Sequence, residues 1–363
     1  MSELTQDSVK EAIKGYVEPH LEKDLVTAKA IKGVEIEGGK VAIAVELGFP
    51  ARGCIEGISS AVREKVEALP GVESVDVTIS SKVVAHSVQK ALKPIDNIKN
   101  IIAVASGKGG VGKSTTAVNL ALALAEEGAK VGVLDADIYG PSQPRMLGIN
   151  GKPESKDGKT LEPMRGYGMQ AMSIGFLIDE ETPMIWRGPM VTQALEQLLN
   201  DTNWDSLDYL VVDLPPGTGD TQLTLAQKVP VSGAVIVTTP QDIALLDARK
   251  GLKMFEKVEV PVLGIVENMS IHICSNCGHE EHIFGQGGGS SMAEQYKVDL
   301  LGALPLDIRI REETDGGKPT VVAEPESRIS QIYREIARKT AAKLSLQAKD
   351  YAAKFPNIVI QNN

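Results

Sequence analysis

The sequence has few aromatic side chains, 4% of its 363 residues, so its interior must be closed mainly by smaller groups. Gly, Ala and Val are plentiful instead, which suits helices packed closely on a sheet. No run approaches the ~18 uninterrupted apolar residues of a membrane span. The opening MSELTQDSVKEAIKGYV is mixed and charged, without the apolar segment of a secretory signal. There are only three cysteines, two of them in one C-x-x-C, which argues against a disulfide scaffold and for a reducing, cytoplasmic setting. An excess of basic charge is missing as well. Lys and Arg number 38 against 48 Asp and Glu, a net charge of −10 that speaks against a generic nucleic-acid binder. What remains, 42% hydrophobic and 24% charged, is the balance of a soluble globular chain long enough for one large domain and a small one.

Residues 1–80 read as a small α+β domain. A helix over 5–15 is followed by GVEIEGGKVAIAVELGF (33–49), two strands around a Gly-Gly turn. Helical periodicity over 55–68 ends at a Pro-Gly, and VESVDVTI (72–79) alternates as a half-buried strand. A polar, Lys-rich connector with Pro94 spans 81–99. Over 100–349, apolar β-branched runs (101–106, 130–136, 209–215, 233–240, 262–268) alternate with helical stretches such as 114–127 and 242–257. Strands buried on both faces look like this, and the alternation predicts a doubly wound, mostly parallel α/β sheet. Residues 350–363 form a tail. No internal repeat is present.

After the first large-domain strand comes GKGGVGKS, which satisfies G-x-x-x-x-G-K-[ST] in the strand–loop–helix context of a P-loop. Glycines let backbone N–H groups crowd around phosphate oxygens, and the helix N-terminus adds partial positive charge. The expected ATP site is therefore Gly107, Lys108, Gly109, Gly110, Val111, Gly112, Lys113, Ser114 and Thr115. Lys113 faces the β- and γ-phosphates and Ser114 ligates Mg²⁺ in this reading. VLDADIYGPS (133–142) places Asp135 and Asp137 at a strand end, where carboxylates can hold Mg²⁺ or orient water. YLVVDLPPGTGD (209–220) is an apolar strand ending in Asp213, the Walker B pattern, whose carboxylate holds Mg²⁺ through a water; the bland alternative is an Asp capping a turn. The next strand end, ENMS (267–270), has Asn268 but Ser270 where a guanine-reading Asp would stand. Adenine is favoured, with Asn268 at its edge.

The second lysine, Lys108, is either a solvated loop lysine or something specific. K-G-G-x-G-K-[ST] resembles the deviant Walker A of the MinD-like P-loop ATPases, which include ParA proteins and the nitrogenase iron protein. That resemblance implies that Lys108 reaches the partner's phosphates in a face-to-face homodimer. It also makes Asp137 the residue that positions water, with Asp135 nearer the metal. GPSQPRMLG (140–148), WRGPM (186–190), DLPPGTGD, ENMS with the C-x-x-C, IFGQGGG (283–289) and REETDGGKP (311–319) narrow it further. This ordered set resembles the Mrp/ApbC family of iron–sulfur cluster carrier ATPases, over about residues 96–345. The N-terminal unit resembles the MIP18-like domain, whose motif cysteine falls on Cys54 in FPARGCIEG. The usual proline after that cysteine is missing here, so a structural cysteine is the alternative.

In IHICSNCGH (271–279), Cys274 and Cys277 make half of a four-thiolate site. The resemblance implies that two chains complete it across a two-fold axis, holding a bridging [4Fe–4S] cluster passed on to apo iron–sulfur proteins, with a cluster assembly scaffold as donor. Zinc is the rival, as Cys₂His₂ with His272, His279 or His282, or as a Cys₄ staple across the dimer. A second rival is a MinD- or ParA-like regulator with a structural zinc. Its membrane-targeting helix would be 326–349, which is amphipathic but equally suited to packing on the sheet, and stable membrane association is not expected. An electron donor like the nitrogenase iron protein is a third, but C-x-x-C does not match its separated cysteines.

Overall fold

A computed structural model describes residues 4–90, 92–178, 188–274 and 276–349. Trp186 and Arg187 of the WRGPM stretch, and the expected tail over 350–363, lie outside the described residues.

In the N-terminal unit, α1 (Gln6–Lys14) is started by a reciprocal cap between Thr5 and Ser8 and buries Val9 and Ile13. A short hairpin follows, β1 (Val17–Glu18) with β2 (Lys23–Asp24), too brief to leave a periodic signal. β3 (Ile31–Glu37) and β4 (Lys40–Leu47) pair antiparallel around Gly38, whose φ of +60° suits the glycine in this turn. Val41, Ile43, Val45 and Leu47 alternate inward along β4. α2 (Ile55–Glu67) buries Ile58, Val62 and Val66, and β5 (Ser74–Ser81) joins β4 in parallel. The α-β-β-α-β order read from periodicity is present as a three-stranded sheet, β3-β4-β5, with α1 and α2 packed on it.

The connector is pinned rather than free. His86 N and Nδ1 both meet Asn100 Oδ1, and Gln89 donates to the Ala226 carbonyl.

The large unit runs through β6 (Ile98–Ala105), α3 (Lys113–Glu126), β7 (Val131–Asp135), α4 (Gln143–Met146), β8 (Met164–Gly166), β9 (Met169–Ser173) and α5 (Gly188–Asn200). It continues through β10 (Leu207–Asp213), α6 (Asp220–Lys228), β11 (Gly233–Thr238), α7 (Asp242–Lys257) and β12 (Val262–Glu267). A hairpin of β13 (His272–Ile273) and β14 (Glu280–Glu281) precedes α8 (Gly288–Tyr296), β15 (Leu300–Ala303), α9 (Ile308–Asp315), α10 (Thr320–Ala323) and α11 (Arg328–Ser345). Eight strands form one sheet in the order β15-β12-β11-β6-β10-β7-β9-β8, parallel throughout except for edge strand β8. This is the doubly wound α/β fold predicted. Its central strands are buried apart from Lys99 and Asp208 near the starts of β6 and β10, and parallel pairing leaves their C-terminal ends on one edge.

α11 settles the reading of the amphipathic C-terminal segment in favour of packing. Ile329, Tyr333, Ile336, Ala337 and Leu344 are buried, covered by α3, β12 and β15. Among the described residues no helix is long and apolar enough to cross a membrane.

The two units are joined by a set of polar contacts. Glu127, just past the end of α3, is buried. Its carboxylate accepts from Gly53 N at 2.8 Å and from Arg338 Nε at 2.9 Å, while its carbonyl accepts from Arg52 N. His20 lies 2.7 Å from Glu18 and 2.9 Å from Glu335, and Lys343 pairs with Glu22. Burial works to lower the His20 pKa, but the bonds to Glu18 and Glu335 and their charges outweigh it and raise it to about 9.

Candidate functional site

The loop after β6 wraps back to the head of α3, as the glycine spacing predicts. Two glycines are required by close approach. At Gly107 an added Cβ would come 2.1 Å from the Asp247 backbone. Gly112 has φ +81°, and a Cβ there would come 2.1 Å from Asn268 Nδ2. Gly112 caps α3, so the loop and the helix N-terminus form one cradle of N–H groups.

Lys113 is buried and ion-pairs with Asp213, with its Nζ 3.2 Å from Ser114 Oγ. The P-loop lysine and the Walker B carboxylate therefore hold each other. Gln143 donates to the second oxygen of Asp213 at 2.9 Å and to the Ser114 carbonyl at 3.2 Å. Sequence reasoning missed Gln143 as a site residue, because its partners lie 70 and 29 residues away. Lys108 is half-buried, and its carbonyl accepts from Ser106 Oγ. The loop after β10 is braced by Gln222, which donates to Pro215 O and accepts from Gly219 N.

Two residues sit differently from the sequence expectation. Asp135, expected near the metal, is fully buried and accepts from the backbone N–H groups of Asp137, Ser142 and Gln143 and from Ser173 Oγ. It folds the loop that carries Asp137. Asn268, expected at an adenine edge, donates its amide to Val111 O at 2.9 Å and accepts from Met269 N. It fastens the segment after β12 to the P-loop.

The acidic groups outnumber the cation. Burial raises the pKa of Asp135 and that of Asp137, and the Asp213 charge adds to both shifts. Asp135, Asp137 and Asp213 against Lys113 leave a deficit of positive charge, which suits a divalent cation. Among the described residues no group of three or more His, Cys, Asp and Glu is placed to hold a metal by itself. The donor set therefore fits Mg²⁺ carried in with phosphates, held by Ser114 and reached by Asp213 through water, rather than an all-protein cage. Held there by Ser114 and Asp213, Mg²⁺ would offset the negative charge of the phosphates.

The C-x-x-C lies on the β13–β14 hairpin. Cys274 N donates to His279 O, Gly278 N donates back to Cys274 O, and Gly278 has φ +71°. Backbone N–H groups of Asn276 and Cys277, then the Cys277 thiol, point at the Cys274 sulfur and lower its pKa. Cys277 is exposed. His272 and His282 turn their Nδ1 atoms to the carbonyls of Leu306 and Ser270. With no third ligand grouped with the cysteines among the described residues, a Cys₂His₂ zinc site within one chain has no support. Cys54 is half-buried at the start of α2, and its Sγ donates to Ala51 O.

Two families match the sequence. One described as a NUBPL iron-transfer P-loop NTPase covers residues 97–341, and one described as an iron–sulfur cluster assembly protein covers 6–79. A Pseudomonas fragi protein named iron–sulfur cluster carrier protein is 61% identical over 274 residues, 75% of this chain and 96% of its own length. Its Escherichia coli (strain K12) namesake is 51% identical over 358 residues, 96% and 97% of the two chains. The structure of an Archaeoglobus fulgidus nucleotide-binding protein in complex with ADP is 41% identical, with TM-score 0.57, covering 64% of this chain and 90% of that one.

Proposed function

The chain belongs to the iron-transfer P-loop NTPases, and from that premise we propose that it is an iron–sulfur cluster carrier that binds a cluster on Cys274 and Cys277 and delivers it to apoproteins. The observation that carries this reading is the hairpin. It carries two thiols, Cys277 exposed and Cys274 half-buried with its thiolate form already favoured by backbone donors, and no third ligand is grouped with them among the described residues. Two such half-sites make the four thiolates of a [4Fe–4S] cluster. A cluster bridging two chains with only two ligands from each is easier to release than one enclosed by a single chain.

ATP hydrolysis drives or times the release in this reading. Lys113, Ser114 and Thr115 bind nucleotide with the glycines of the loop, Asp137 orients the attacking water, and Lys108 reaches the phosphates of a second copy. Support for a second copy comes from the rim of the sheet. Tyr139, Ile243, Leu246 and Ile283 are large apolar side chains left exposed on segments that leave the C-terminal ends of β7, β11 and β12. Support for coupling comes from Asn268, which ties the segment leading to Cys274 to the P-loop carbonyl of Val111.

Anaerobic reconstitution with iron and sulfide tests the reading. About four irons and four sulfides per dimer, with visible absorption, are expected. One zinc per dimer, colourless and unmoved by iron and sulfide, would make the thiolates a structural staple instead.

A further inference from the structure

Gln143 is the first residue of α4 and is 1% exposed. Its Nε2 has two acceptors, Asp213 Oδ2 and the Ser114 carbonyl. That fixes the amide, since turning it over would set its oxygen against both. The Oε1 atom is then left buried without a hydrogen-bond partner, and the hydroxyl of neighbouring Ser142 is buried and unpartnered too. Buried polar atoms are rarely left unpaired, and two in one turn mark a place where something binds. Their surroundings say what. The residues Gln143 touches are those that would meet Mg²⁺ and phosphate, and Lys113, which pairs with Asp213, must leave it to reach a phosphate.

We propose that Gln143 is a positioning residue of the Mg²⁺–nucleotide site, an inference that rests on the nucleotide-binding reading above. Its amide nitrogen holds Asp213 in place once Lys113 turns to the phosphate. Its oxygen accepts a hydrogen bond from a water on the metal. Mg²⁺ keeps several waters, each with protons to place, and Asp135 is already occupied by four protein donors. The Gln143 oxygen adds an acceptor beside Asp213, and the unpartnered Ser142 hydroxyl adds one in the same turn, whose backbone N–H Asp135 holds.

The test is ADP affinity by titration calorimetry with MgCl₂ and with EDTA, on the full chain. Wild type should gain affinity with Mg²⁺. Gln143→Leu should lose about tenfold of that gain, the size of one missing hydrogen bond in a buried site, while its metal-free affinity stays within about twofold of wild type. Gln143→Met, close to Gln in length and shape but without either polar atom, should lose the gain by the same factor. Mn²⁺ affinity, followed by the EPR signal of free Mn²⁺ in the presence of ADP, should fall by the same factor in Gln143→Leu. An unchanged Mg²⁺ dependence in Gln143→Leu, or an equal loss with and without metal, overturns the proposal. If Gln143→Leu fails to fold, an unchanged Mg²⁺ gain in Gln143→Met overturns it. Wild type that binds no ADP would instead overturn the nucleotide reading underneath.

Discussion

Cys54 and Cys274 each sit at a tight turn, and their hydrogen bonds run in opposite directions. The Cys54 sulfur donates, to Ala51 O, and burial pushes its pKa up to about 12, with Glu18, Glu127 and Glu335 adding to the rise against Arg338. The Cys274 sulfur accepts, from two backbone N–H groups and the Cys277 thiol, and its pKa falls. A thiol that gives its proton to a carbonyl in an acidic pocket is a packing residue. A thiol ringed by donors has its thiolate, the form that binds metals, favoured. The missing proline after Cys54 already set it apart in the sequence, and the two bonding patterns supply the physical difference.

The comparison breaks most completely in the reconstituted cluster. Cys274→Ala should carry essentially no iron or sulfide, and Cys54→Ala should carry as much as wild type, by metal analysis and absorbance. A cluster lost from Cys54→Ala would put that cysteine in the site. Alkylation of the apo protein near neutral pH sharpens the contrast. Cys274 and Cys277 should react at least about a hundredfold faster with iodoacetamide than Cys54, followed by peptide mass mapping. Equal rates would contradict the protonated, half-buried thiol.

The pocket around Cys54 can itself be opened. Glu127→Ala leaves Arg338 with only the longer contact to Glu335 at 3.9 Å and should destabilise the chain by about 3 kcal/mol in denaturant unfolding, while speeding alkylation of Cys54. No change in either would mean that the contact between the units is not what shelters this thiol. The smallest effect is that of pH. His20 has a folded-state pKa raised to about 9 from 6.5, so its contribution is fully present below about pH 6.5 and is lost as pH rises through 9. Glu335 is 41% exposed, which screens the bond, so roughly 1–2 kcal/mol is expected. His20→Gln should flatten the stability profile across that range, and a profile identical to wild type would remove His20 from the interface energetics.

Local chemistry was legible in the sequence. The P-loop, the Asp213 strand end and the C-x-x-C are each written within a dozen residues, and the five buried strands announce themselves by β-branched runs. β15 and the β8–β9 pair, short and at or near the sheet edges, gave no such signal. The bond of Asn268 to Val111, 157 positions away, was not legible, because the residue comparison with guanine-binding segments says nothing of Val111. The Lys113–Asp213 pair and the Gln143 bond span 100 and 70 residues, and Glu127 meets Arg338 across 211. Such contacts exist only once the sheet has brought strand ends together, so no window of sequence contains them.

The contacts between the two units also fix an order of events. Glu18, His20, Glu22 and Gly53 leave the ribosome early, but Glu335, Arg338 and Lys343 leave it some three hundred residues later. The seat of the small domain on the larger one is therefore laid in two stages, first by Glu127 with Gly53 and Arg52 and then by the residues of α11. Until then the Glu127 carboxylate at the far end of the P-loop helix lacks Arg338. α11, the last helix among the described residues, thus completes with Arg338 a clamp on the far end of the P-loop helix that Gly53 and Arg52 begin.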